Sequence, residues 1–315
     1  MEPRDLIIIG SGPAALTAAI YTGRAQLSPL LISGKDVGGS VALTDRVENY
    51  PGFPEGVGGF ELVQLMQKQA ERFGAEVAMD EVIAVDLSSA PFEVKTHGET
   101  YRARAVIVAT GRSPRKLGVP GEAEFAGRGV STCATCDGYF YRDQRVVVVG
   151  GGDTAIKEAV FLTKFASEVV VVHRRNRLRA EKIVEEMARK NEKIRFVWDT
   201  VVTEILGDGG VSGVRLENVE TGEESSLEAQ GVFTFVGNSP NTAIFQGQLE
   251  LDEAGYIITD GRQKTSVDGV FAAGDVQERV AWQIATAVGS GARAAMQAEE
   301  YISELDGRGN PEREA

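Results

Sequence analysis

Histidine and cysteine are scarce in this 315-residue chain, with two of each. A zinc centre ordinarily takes four ligands from these residues. The histidines are His97 and His173, and His173 sits where a nucleotide is expected, so no metal site is expected. No apolar run nears the roughly 18 residues that a membrane helix needs. Met1-Glu2-Pro3-Arg4-Asp5 has no signal-peptide core, and a cytoplasmic protein is expected. Positive charge is also short: 33 Lys and Arg stand against 46 Asp and Glu, a net charge of −13. Such a chain repels a phosphate backbone except at local basic patches, which argues against a general nucleic-acid binder. No segment is low in complexity, and the length allows two sizeable cores.

Glycine is plentiful, at 37 residues, and two clusters of it are patterned. Gly10-Ser11-Gly12-Pro13-Ala14-Ala15 follows the apolar Leu6-Ile7-Ile8-Ile9 and precedes the helix-like Leu16-Thr17-Ala18-Ala19-Ile20-Tyr21. Gly150-Gly151-Gly152-Asp153-Thr154-Ala155 follows Val146-Val147-Val148-Val149 and precedes Ile156-Lys157-Glu158-Ala159-Val160-Phe161-Leu162. Each reads as strand, tight turn and helix, the dinucleotide-binding arrangement, with Ala where a third glycine often sits. The glycines let backbone N–H groups approach a pyrophosphate at the helix N-terminus, where the dipole favours negative charge. Gly10, Gly12, Pro13 and Ala14 are the candidates at the first site, and Gly150, Gly152, Asp153 and Thr154 at the second.

The strand after each fingerprint separates the two sites. Twenty-three residues beyond Gly10 it ends at Ser33, which identifies no nucleotide; twenty-three beyond Gly150 it ends at His173-Arg174-Arg175. A carboxylate there would hold a ribose 2′-OH, whereas arginine accommodates a 2′-phosphate. The second site is therefore read as binding NADPH, with Arg179 as a further phosphate contact.

Between the fingerprints stand both cysteines, Cys133-Ala134-Thr135-Cys136. Zinc lacks ligands, and a structural disulfide closing so short a loop would restrict the unfolded chain little. A redox-active dithiol remains. Hydride comes from NADPH, but a disulfide is reduced through thiolate chemistry, so a carrier that handles both is needed; flavin is the usual one, and the first fingerprint is where it fits.

Cys133-Ala134-Thr135-Cys136-Asp137-Gly138-Tyr139-Phe140, the triple glycine, His173-Arg174-Arg175 with Arg179, and Gly269-Val270-Phe271-Ala272-Ala273-Gly274-Asp275 together resemble the bacterial low-molecular-weight thioredoxin reductases. Val47-Glu48-Asn49-Tyr50-Pro51-Gly52 and Gly237-Asn238-Ser239-Pro240-Asn241-Thr242 match as well, so the resemblance covers almost the whole chain. It implies an α/β fold of two Rossmann-like, three-layer ββα domains. An NADPH domain, residues 114–242, carries the dithiol and is inserted into an FAD domain, residues 1–113 and 243–315. It also implies that electrons pass from NADPH to FAD, to Cys136 and Cys133, and to the disulfide of a thioredoxin-like protein. Cys136 would face the flavin, Cys133 would attack the partner, and Asp137 would serve as acid-base group. Gly274 and Asp275 belong to the flavin side, Asp275 at the ribityl or phosphate region, with Gly39, Ser40, Thr44, Asn49 and Gln283. Arg128, Tyr139 and Phe140 match partner-contact positions, and a homodimer through the flavin domain is implied.

Three positions depart from that pattern: Trp282 replaces the usual Arg, Ser40 stands where Gln is common, and Lys157 stands where an acidic residue is common. The first bears on the electron donor. A ferredoxin-dependent reductase, a reductase of low-molecular-weight disulfides and a non-turnover redox sensor stay open as alternatives. Apolar residues at Leu62, Val63, Leu65, Met66, Ala70 and Phe73 predict a core-facing helix closed by Gly74. His97-Gly98 predicts a hairpin turn between Phe92–Lys95 and Glu99–Arg102, ahead of a strand at 105–109.

Overall fold

The computed structural model describes the chain apart from residues 1–2, 36, 45, 279–280 and 308–315 and the side chain of Cys136. The apolar run at 6–9 is the buried end of strand β1 (Arg4–Ile9); Pro13 opens helix α1 (Pro13–Arg24), and β2 (Leu30–Ile32) lies parallel to β1. The short α2 (Gly39–Ala42) and α3 (Gly59–Arg72) lead to β3 (Glu76–Ala78), parallel to β2. In α3, Leu62, Val63, Met66 and Ala70 are buried, but Leu65 is 45% exposed. At about 100° per residue the buried four share one arc and Leu65 falls outside it.

Antiparallel β4 (Val82–Asp86) and β5 (Phe92–Thr96) form a wing, and the hairpin at His97-Gly98 leads into β6 (Thr100–Val108). The two short strands expected after that turn are one nine-residue strand. Beyond it, β7 (Arg112–Pro114) leaves the first unit, which comprises residues 1–113 and 239–315.

The second unit, Pro114–Asn238, repeats the plan. It contains β8 (Val130–Ser131), α4 (Ala134–Asp137), β9 (Arg145–Gly150), α5 (Asp153–Leu162), β10 (Glu168–Val172), α6 (Lys182–Arg189) and β11 (Ile194–Val197). An antiparallel sheet of β12 (Thr200–Gly207), β13 (Val211–Asn218) and β14 (Glu224–Glu228) precedes β15 (Gly231–Phe235). The parallel sheet runs β11-β10-β9-β15-β8. The chain leaves by β16 (Asn238–Pro240), which pairs with β7, and supplies β17 (Val270–Ala272) and α7 (Ile284–Leu305) to the first unit.

Both units have three layers because their central strands are apolar on both faces. In β1, Leu6 and Ile8 join the cluster formed with α1, α3 and α7, while Ile7 and Ile9 join Val82, Phe92 and Val94 of the wing side. In β9, Val146 and Val148 pack with α5, and Val147 and Val149 with Val202, Ile205, Val214 and Leu216. One edge of β6 is taken by β1, while the other is divided, Thr100–Ala103 pairing with β5 and 106–108 with β17.

Helices α1 and α7 meet backbone to backbone. A Cβ built on Gly291 would lie 2.2 Å from the Ala14 carbonyl oxygen, so the crossing is set by the missing side chain. Gly291→Ala is expected to destabilise the protein by about 2 kcal/mol, as overpacking does. A thermal melt that leaves Tm unchanged would refute the close crossing.

Candidate active site

In the first unit, Gly10 has φ +121° and its Cβ would lie 2.2 Å from the Ala109 carbonyl oxygen, so only glycine closes this turn. Gly12 is the N-cap of α1, no side chain caps that end, and the space beside its Cα is open to 4 Å. The leading amides of α1 thus face a cradle that fits phosphate. Around it converge segments distant in sequence. A Cβ built on Gly39 would lie 3.7 Å from the Gly12 Cα, and Gly38 donates its N–H to Ser11 Oγ at 3.0 Å. Ser33 is buried and its hydroxyl donates to the Gly34 carbonyl at 3.0 Å. Gly274, at φ +76°, would set a Cβ 2.9 Å from that of Ala14, and it donates its N–H to Ser290 Oγ at 2.9 Å.

Asp275, the next residue, pairs with Arg112 at 2.9 Å. Burial pushes its carboxyl above the ordinary aspartate range, Arg112 pulls it down, and Glu278 raises it. Asn49 Nδ2 donates to Gln283 Oε1 at 3.0 Å, which joins the loop after α2 to the start of α7. Thr44 donates to the Ser40 carbonyl at 3.3 Å, and Ser40 itself is exposed.

The second unit holds the matching cradle. Gly150 has φ +151° with its Cβ position 2.5 Å from the Phe235 carbonyl oxygen; Gly152 N-caps α5 with no side-chain cap and open space beside it. Asp153 Oδ1 accepts the Glu181 N–H at 2.8 Å, and the Arg179 N–H donates to the Gly151 carbonyl at 2.7 Å. Together these contacts fold the 173–181 loop over the glycine turn. Thr154 is exposed. Arg174, Arg175 and Arg179 are exposed and lie close enough to His173 for their charges to bear on it. The ring of His173 is buried against Gly151, and Nε2 has no hydrogen-bond partner. Burial lowers its pKa most, a hydrogen bond with the Arg177 backbone raises it, and the charges of Arg179, Arg175 and Arg174 lower it further, a balance that favours the neutral ring. Neutral His173 therefore forms the floor of the cradle, and the positive charge beside it belongs to the arginines.

The cysteine turn is part of this unit too. Cys133 is half-buried and disulfide-bonded, with its N–H on Ser131 Oγ at 3.0 Å and its Sγ 3.3 Å from Thr135 Oγ1. The Asp137 N–H donates to the Cys133 carbonyl at 3.2 Å, which closes the single turn of α4. Gly138 lets that turn sit on α5, since a Cβ there would reach Leu162 at 3.1 Å and Phe165 at 3.4 Å. Tyr139 and Phe140 follow, 62% and 72% exposed. Tyr139 packs edge-on against Phe165, and the Arg142 guanidinium lies 5.2 Å from its ring centroid. Arg128 is exposed and donates to the Glu124 carbonyl at 2.6 Å.

Residues 4–291 match the pyridine nucleotide-disulphide oxidoreductase family. The chain belongs to that family. A flavin and a pyridine nucleotide go with pyridine nucleotide-disulphide oxidoreductases. The chain is 53% identical over 303 residues to a thioredoxin reductase of Mycolicibacterium smegmatis, covering 96% of this chain and 97% of that one. It is 50% identical over 322 residues to a thioredoxin reductase of Streptomyces coelicolor, covering 100% and 99%. Among solved structures, a Lactococcus lactis thioredoxin reductase superposes with a TM-score of 0.88 at 42% identity, covering 96% of this chain and 100% of that one. The two Rossmann-like domains expected from the fingerprints are thus the architecture of this pyridine nucleotide-disulphide oxidoreductase.

Two residues near these sites carry no sequence motif. Glu158, on α5, accepts the Ala134 N–H beside Cys133; its carboxyl is raised by burial and its Oε2 is buried without a hydrogen-bond partner. Its one signal in the sequence is an acid two residues after the buried Ile156 and next to the buried Ala159. Arg112, partner of Asp275, is 163 residues from it in sequence. Among the described residues there is no helix long and apolar enough to cross a membrane and no cluster of three or more potential metal ligands.

Proposed function

We propose that the chain is an NADPH-dependent thioredoxin reductase that binds FAD in the first unit and NADPH in the second. The observation that carries this reading is a half-buried, disulfide-bonded Cys133 in a turn packed on the helix of the second nucleotide fingerprint. FAD when bound supplies the step that joins hydride transfer from NADPH to the two-electron reduction of a disulfide. Gly10, Gly12, Pro13, Ala14, Ser33 and Gly39 would hold its adenine-nucleotide half. Ser40, Thr44, Asn49, Gly274, Asp275 and Gln283 would hold the remainder. Gly150, Gly152, Asp153, Thr154 and His173 would shape the NADPH cradle, with Arg174, Arg175 and Arg179 on the 2′-phosphate. The open glycine and uncapped amides of each cradle support these assignments, as does the orphaned His173 Nε2.

In the reduced enzyme the Cys133 thiolate attacks the partner's disulfide, forming a mixed disulfide and releasing one partner thiolate. Cys136 then attacks Cys133, which frees the second thiolate and restores the enzyme's disulfide. Asp137 takes up and returns the proton at these sulfurs. The reading extends to a cytoplasmic homodimer with domains at 1–113 plus 243–315 and at 114–242, as the resemblance implies.

The test is anaerobic rapid mixing. NADPH is expected to bleach the flavin, and oxidised thioredoxin to restore its absorbance. A flavin that stays oxidised with NADPH would point to another donor, such as ferredoxin. The exposed Tyr139 and Phe140 give a second expectation, since solvent-facing aromatics beside a reactive group serve as docking anchors. Tyr139→Ala with Phe140→Ala is expected to raise KM for thioredoxin about tenfold while flavin reduction by NADPH keeps its rate. Unchanged KM would remove these residues from the docking face.

A further inference from the structure

A half-buried carboxylate gains from a counter-charge, and the one beside Asp275 is held by an arrangement that no glycine motif requires. Arg112 Nε donates to Asp275 Oδ2 at 2.9 Å, and the guanidinium carbon lies 4.2 Å from the Trp282 ring centroid. Trp282 is itself fixed, its indole N–H donating to the Glu278 carbonyl at 2.7 Å. The backbone that carries Arg112 is pinned on the other side. Thr110 Oγ1 donates to the Asn241 carbonyl at 2.8 Å, Asn241 Nδ2 to the Thr110 carbonyl at 2.9 Å, and the Asn241 N–H to the Gly111 carbonyl at 3.0 Å. The guanidinium is therefore clamped between an acid and an indole, both in the segment that meets the N-terminus of α1 through Gly274 and Ala14.

We propose that Arg112 is a positioning residue for flavin binding, holding Asp275 as an oriented carboxylate able to accept hydrogen bonds from the hydroxyls of the flavin's ribityl chain. This rests on the proposal that the first unit binds FAD. The planar fork suits both contacts at once, because arginine pairs with a carboxylate through its edge and stacks through its face. The charged groups that act on Asp275 are Arg112 from β7 and Glu278 from its own turn. The two helices packed on that turn present Ala14 and Ala287 to it.

The sign of the pH effect follows from those neighbours. Arg112 lowers the Asp275 pKa while burial and Glu278 raise it. Without Arg112 the carboxyl takes up its proton at higher pH, and its neutral form accepts hydrogen bonds less well. FAD binding should weaken as pH falls, and in the variant this weakening should set in at higher pH than in the wild type.

The experiment follows release of FAD from the full-length holoenzyme on serial dilution between pH 5 and pH 8, through the gain in free-FAD fluorescence. Arg112→Gln is expected to raise the FAD Kd tenfold to about a hundredfold, the scale of a lost charge-assisted hydrogen bond, and to move the pH dependence to higher pH. Arg112→Lys should keep the wild-type pH profile with an intermediate Kd, since it retains charge but not the fork. Trp282→Leu should raise Kd less than Arg112→Gln does. An Arg112→Gln holoenzyme with wild-type Kd and pH profile would overturn the inference alone. So would a uniform loss of affinity at every pH, the signature of a purely structural role. A wild-type protein that binds no FAD would overturn the proposed function as well.

Discussion

Cys133→Ser is expected to lower thioredoxin turnover by at least about a thousandfold while the flavin remains reducible by NADPH. Serine fits the half-buried position and can keep the contacts to Ser131 and Thr135, so the turn should survive. What it lacks is a sulfur nucleophile that can both form and break a bond to sulfur. Anaerobic titration separates the two half-reactions. The wild type should consume about two equivalents of NADPH, one for the flavin and one for the disulfide, and the variant about one. Equal consumption by both proteins would mean that Cys133 carries no electrons.

The second large effect concerns choice of nucleotide. Arg174 and Arg175 are exposed at the end of β10, beside a histidine whose burial and cationic neighbours keep it uncharged. The positive charge available to a 2′-phosphate therefore resides in the arginines. Replacing both with alanine is expected to reduce kcat/KM for NADPH about a hundredfold or more, with NADH changing by less than about threefold, because only NADPH loses charge-assisted contacts. Steady-state kinetics with both nucleotides checks this. A matched loss would show that the arginines shape the loop and do not read the phosphate.

Sequence made the paired architecture legible because its signals are local. A four-residue apolar run, a glycine that must adopt positive φ and an uncapped helix start are adjacent in the chain, and at Gly10 and Gly150 all three coincide. The orientation of His173 was less legible. Side chains alternate along β10, and 173 continues the face of Val169 and Val171, which turns the ring inward onto Gly151. Leu65 misled for the related reason that an apolar residue one step off the buried arc of a helix still enriches the window. Contacts such as Arg112 with Asp275 and Asn49 with Gln283 had no local trace, since each joins residues more than 150 positions apart.

The divided edge of β6 bears on how the protein is made. When the ribosome has finished residues 1–113, half of that edge is still unpaired, because its partner β17 lies at 270–272 and arrives only after the whole of the second unit. The second unit is continuous and complete in its own strands by residue 238. During synthesis, then, the later-begun unit finishes first, while the earlier one waits with an open strand edge and with the α1 surface that α7 will cover exposed to water. The interval in which that edge lacks its β17 partner lasts for the whole insertion, and a pause within 114–238 would prolong it.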